Sequence, residues 1–196
     1  QGMEGEVKEI KAILGASDQS RPLQLRDAAS RSNVLHLNEQ GRLHDYRFVV
    51  FACHGVLPGE VDQVQQPALV LSHPDPRSGG EGFLTMADVF GLKLNADLVT
   101  LSACNTGRGE GHRGEGAMGL TRAFMYAGTP AISVTLWSID SRSATLLSTG
   151  LYRNIRDGKG RAEALRDAKL RMIQGEEGDL YRHPFYWAPL VIFGDG

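Results

Sequence analysis

The run Asp97-Leu98-Val99-Thr100-Leu101-Ser102-Ala103 lacks strict alternation of apolar and polar residues, as expected of a central strand covered on both faces. The chain therefore calls for a sheet with helices above and below it. A second apolar run, Phe48 to Ala52, closes on Cys53-His54-Gly55, and the first closes on Cys104-Asn105-Thr106-Gly107 about fifty residues later. In an open parallel sheet, reactive groups gather outside the carboxyl ends of the strands. The two runs thus present a thiol and an imidazole at one sheet edge.

The remaining pattern agrees with that class. Glu4 to Leu14 places Val7, Ile10, Ile13 and Leu14 at helical spacing, and Gly15 is set to stop the helix. Asn33 to Leu37 and Ala68 to Leu71 read as short strands. Phe83-Leu84-Thr85 reads as a strand end running into a helix N-cap, with Asp88 three residues on as the reciprocal acid. Ala117 to Ala127 is helical and ends at Gly128, before Pro130; Ala131 to Trp137 is a strand. Ser141 to Ile155 and Arg161 to Ile173 are helices, and Ala188 to Phe193 is a terminal strand. Strands alternating with helices give an α/β fold, a mostly parallel sheet with helices on both faces. Gln63 to Gly82 and the Gly-rich Asn105 to Gly116 read as loops beside the site.

Composition removes several function classes. A length of 196 residues suits a single domain with a substantial core. A formal charge of -2 and no run of five or six like charges give a phosphate backbone nothing to bind. No apolar stretch is long enough to span a bilayer, and Gln1-Gly2-Met3-Glu4 is unlike a signal peptide, so a cytosolic domain is expected, excised or cleaved from a longer chain. The two cysteines are expected to be reduced. His36, His44, His73, His112 and His183 lack the spacing of a zinc site, and no metal is expected. Gly109-Glu110-Gly111-His112-Arg113-Gly114 matches the dinucleotide fingerprint in letters only. It stands several residues past the strand end, and Glu110 and Glu115 would repel a pyrophosphate, so no cofactor is expected.

The chemistry then centres on Cys104 and His54. Only the thiolate attacks well, and a strand end at a glycine-bearing turn offers unpaired amides to stabilise it and to hold an oxyanion. His54 is of the residue type best suited to protonating a leaving amine. Strand alternation sends Cys53 to the core if His54 faces the site. The plainer alternative is that Cys104 is a small buried core residue.

Ala52-Cys53-His54-Gly55, Ala96 through Gly107, Gly114 through Gly128, Leu136-Trp137-Ser138-Ile139-Asp140 and His183 through Gly194 together resemble the CHAT family, over about Tyr46 to Gly194. These are caspase-like peptidase domains, related to caspases and separase and commonly fused to tetratricopeptide repeats. The resemblance implies a caspase-like three-layer α/β sandwich and a cysteine endopeptidase with a His/Cys dyad, His54 and Cys104. It takes the oxyanion amides from Gly55 and from Cys104 itself. The family's His acts mainly on the scissile amide, so a long resting distance to the sulfur is compatible with the dyad.

The resemblance further implies a bacterial, cytosolic protein that cuts a protein substrate under the control of an attached or associated repeat or sensor module. Residues 1–196 are expected to form one peptidase domain without the family's sheet segment ahead of the helix at Glu4 and without a regulatory module. In the related separases, an acid after the Trp-bearing strand receives a basic side chain beside the scissile bond. Asp140 holds a similar place, with Trp137 as a pocket wall, although Asp140 equally suits the N-cap of the helix from Ser141. Two other readings stay open, a catalytically silent interaction module of the same fold and a thiol hydrolase acting on small amides.

Overall fold

Helix α1 spans Met3–Ile13 and stops at Gly15, whose φ of 66° is a geometry that side chains resist. The computed structural model describes residues 3–15, 24–62, 64–72, 82–102, 115–138 and 140–196. Helix α2, Arg31–Glu39, replaces the strand expected at Asn33 to Leu37. Its cap is Ser30, whose hydroxyl accepts a hydrogen bond from the amide of Asn33, and Val34, Leu35 and Leu37 pack against the core from one side of the helix. So short an apolar run fits either period, and the local cap decides for the helix.

Strand β1, Phe48–Phe51, runs through Ala52 and Cys53 into β2, His54–Val56. With β3, Ala68–Val70, and β4, Phe83–Thr85, β2 forms a three-stranded antiparallel sheet in the order β2-β3-β4. Thr85 closes β4 and caps α3, Met86–Phe90, in the expected capping box with Asp88. The Asp88 carboxylate accepts from the Thr85 amide and hydroxyl, both at 2.9 Å. It also receives both prongs of the Arg31 guanidinium, at 2.8 and 2.6 Å, which ties α3 to α2.

Burial alone would raise the Asp88 pKa, but the bonds from Arg31 and Thr85 outweigh it and hold the carboxyl below its ordinary value. Asp88→Ala is expected to cost about 2 kcal/mol in urea unfolding at neutral pH. A group with a lowered folded pKa stabilises above its unfolded value of 3.8, and that share is lost as the pH falls through the lower folded value. The gap between wild type and variant should therefore shrink only in strong acid.

Strand β5, Leu98–Leu101, is buried at every position, as expected of a central strand covered on both faces. It is followed by α4, Glu115–Tyr126, and β6, Ala131–Thr135, also wholly buried. Next come α5, Ser141–Arg156, α6, Arg161–Gln174, the short α7, Pro184–Trp187, and β7, Leu190–Gly194. The main sheet has the order β1-β5-β6-β7, parallel except for β7, which runs antiparallel to β6.

Alternate side chains of β5 and β6 enter two separate cores. Val99, Leu101, Ile132 and Val134 meet α4 through Leu120, Ala123 and Phe124 on one face. Leu98 and Ala131 meet α1, α5 and α6 through Ile10, Leu147, Leu151 and Leu165 on the other. This is the three-layer α/β sandwich. The turn from α4 to β6 passes Gly128 at a φ of 109°, where an added Cβ would stand 2.3 Å from the Leu94 carbonyl oxygen.

Candidate functional site

The register of the parallel strands sets the site. Phe51 lies opposite Leu101, and Leu101 lies opposite Val134, so the three residues form one row across β1, β5 and β6. Pairing continues one step further, where the Ser102 amide donates to the Phe51 carbonyl at 2.9 Å. Three residues further along the sequence from the members of this row come His54, Cys104 and Trp137. Cys104 itself and the Gly-rich loop up to residue 114 lie outside the described residues, as does the expected fingerprint at Gly109 to Gly114. Glu115 and Gly116, expected in that loop, open α4 instead.

His54 is exposed and is the first residue of β2, opposite Val70. It does not stand at a turn into a helix, as a simple strand–helix unit would have it; the chain crosses from one sheet to another through only Ala52 and Cys53. Gly55, the expected oxyanion donor, is buried opposite Leu69. Cys53 packs against the α4-side core, as alternation with His54 requires, and burial pushes its thiol up to about 12. A thiol so far from ionisation is inert at neutral pH. A groove of about 700 Å³ runs along β1 between Val7 and Ile10 of α1 and Val34 and Leu37 of α2, and reaches His54 at one end.

Trp137 is 37% exposed, and its indole N–H donates to the Phe185 carbonyl at 3.0 Å. Asp140 is the N-cap of α5, accepting from the amides of Arg142 and Ser143 at 3.0 and 3.2 Å and from the Ser143 hydroxyl at 2.6 Å. The capping role is thus occupied. The second carboxylate oxygen accepts the Ser143 hydroxyl, and Asp140 is exposed.

Beneath the strand ends lies a polar layer that sequence reasoning did not single out. Glu6 of α1 is only 3% exposed and accepts from the Ser102 hydroxyl at 2.8 Å, while Ser148 of α5 bonds the same carboxyl. Burial pushes that carboxyl above its ordinary value, against the pull of the two hydroxyls. One row deeper, the hydroxyls of Thr100 and Tyr152 meet at 2.7 Å. The available signal was position: Glu6 stands four residues before Ile10 and seven before Ile13, on the buried stripe of the helix.

Among the described residues no cluster of three or more His, Cys, Asp or Glu side chains is arranged to hold a metal. No helix among them is long and apolar enough to cross a membrane. Compared with known proteins, residues 1–195 match the model of the CHAT domain family. Tetratricopeptide repeat protein 28 of Mus musculus is 29% identical over 114 residues, and its Homo sapiens counterpart is likewise 29% identical over 114 residues. The matched stretch is 58% of this chain but only 4% of the length of each relative.

Proposed function

Because this chain belongs to the CHAT domain family, we propose that it is a caspase-like cysteine endopeptidase with Cys104 as nucleophile and His54 as acid and base. The observation that supports this most is the register row of Phe51, Leu101 and Val134, which sends three parallel strands out of the sheet level with one another toward His54, Cys104 and Trp137. In that arrangement the Cys104 thiolate attacks the scissile carbonyl carbon, and the amides of Gly55 and Cys104 receive the oxyanion. His54 protonates the departing amine nitrogen, leaving a thioester on Cys104. A water molecule, giving its proton to His54, then releases the carboxyl product and the thiolate.

The substrate is a protein, and control rests with a repeat or sensor module in cis or in trans. The tetratricopeptide repeats named in the two relatives support that part of the reading. The setting we assign is the cytosol of a bacterium. Asp140, with Trp137 beside it, receives a basic side chain next to the scissile bond while it caps α5, since one carboxylate can accept from several donors.

The test is reaction with peptide electrophiles carrying Arg, Lys, Met or Asp before the warhead, with the modified residue located by mass spectrometry. Labelling at Cys104 with preference for Arg or Lys is expected. Asp140→Asn keeps a good cap, so it should lose that preference roughly tenfold while thermal stability moves by less than about 1 kcal/mol. If none of the electrophiles labels Cys104 in the folded protein, the peptidase reading gives way to a silent interaction module.

A further inference from the structure

The buried carboxyl of Glu6 has no part in the mechanism above, yet it sits where an apolar side chain would complete the stripe of α1. A carboxyl in such a place is costly unless its oxygens are bonded, and here they are bonded by hydroxyls from two other elements, Ser102 at the end of β5 and Ser148 in α5. Ser102 is buried, donates its amide to the Phe51 carbonyl of β1, and precedes Cys104 by two residues. The neighbouring hydroxyls of Thr100 and Tyr152 satisfy each other, which leaves Glu6 as the partner that Ser102 depends on.

We propose that Glu6 is a positioning residue for Cys104: by accepting the Ser102 hydroxyl it ties the outgoing end of β5 to α1 and sets where the chain leaves the sheet toward the thiol. The proposal rests on the reading of Cys104 as nucleophile for its effect on reactivity, but the tie itself can be measured apart from any reaction. Helix α1 is held on α5 by Ile10 and Ile13 in the shared core and by the ion pair of Glu9 with Arg153 at 2.8 Å. The anchor point is therefore a packed helix and not a loop, as positioning within a fraction of an ångström requires.

Three variants test it: Glu6→Met, which keeps the length and removes the acceptor; Glu6→Gln, which keeps an acceptor without the charge; and Ser102→Ala, which removes the donor with little change in size. In Glu6→Met and Ser102→Ala, amide hydrogen exchange at the end of β5 should quicken by roughly tenfold or more, and alkylation of Cys104 by the peptide electrophile should slow by a similar factor. Combining the two substitutions should add little, since they break one bond. Glu6→Gln should recover most of both effects.

Ser102→Ala keeps the test decisive if Glu6→Met fails to fold. Unchanged exchange at the strand end in a folded Glu6→Met or Ser102→Ala overturns the proposal, and so does a loss in Glu6→Gln as deep as in Glu6→Met. Quickened exchange in a protein whose wild type is not alkylated at Cys104 upholds the tie and overturns the peptidase reading instead.

Discussion

Cys104→Ala is expected to abolish peptide-bond cleavage, a fall on the order of 10⁵-fold or more, because without the sulfur no thioester can form and the remaining groups act only as general catalysts. The change removes a single heavy atom, so stability should stay within about 1 kcal/mol of wild type. His54→Ala should be milder, on the order of 10²- to 10⁴-fold, since it deletes proton transfer to the leaving amine and leaves the nucleophile in place. His54 is exposed at the start of β2, which makes its removal tolerable to the fold. Cleavage assays on peptide substrate beside thermal unfolding of both variants separate the two roles. Wild-type cleavage by Cys104→Ala would sink the mechanism, and so would a His54→Ala variant that is fully active.

A large loss of stability is expected from Gly128→Ala. With φ at 109°, residue 128 occupies a region that L side chains rarely adopt, and the new Cβ would fall 2.3 Å from the Leu94 carbonyl oxygen. Leu94 cannot give way cheaply, because its own amide donates to the Ala127 carbonyl at 2.7 Å, closing the same turn from the other side. Strain and clash together should cost about 3 kcal/mol or more. Gly158 provides the control, with a φ of 92° but nothing within 4 Å of its added Cβ. Gly158→Ala should therefore cost only the backbone term, about 1 kcal/mol. Urea unfolding of the two variants checks the contrast, and equal midpoints would show that the carbonyl contact carries no weight.

How much of this was legible in the chain depends on how far each signal reaches. The lack of strict alternation in the run before Cys104 announced a strand covered on both faces, and β5 is buried at all four positions. The Thr85 and Asp88 pair announced its capping box, because both partners lie within one turn. The helix at Arg31–Glu39 was mistaken for a strand because its apolar stretch is too short to reveal a period, and Ser30 was not read as its cap. The β2-β3-β4 sheet escaped as a unit, since strands of three residues carry almost no pattern and their pairing is a tertiary fact. Of the proposed site, His54, Cys104, Trp137 and Asp140 are named by their places at strand ends in the sequence. Glu6 is not, because a glutamate in the first turn of a helix is ordinarily a solvated partner of the helix dipole. Only the docking of α1 on the sheet buries it.

The spacing of the paired strands has a kinetic meaning as well. The β2-β3-β4 ribbon and the α5–α6 pair join residues close in the chain, whereas β1 meets β5 across about fifty residues and β6 meets β7 across about sixty. Closing a long loop costs more chain entropy before its contacts repay it, and the row of Phe51, Leu101 and Val134 depends on such a contact. Local helices and the ribbon can form without it, whereas the row needs strands brought together from distant parts of the chain. The level exit of the three parallel strands is therefore a property of the finished sheet and of none of its early pieces.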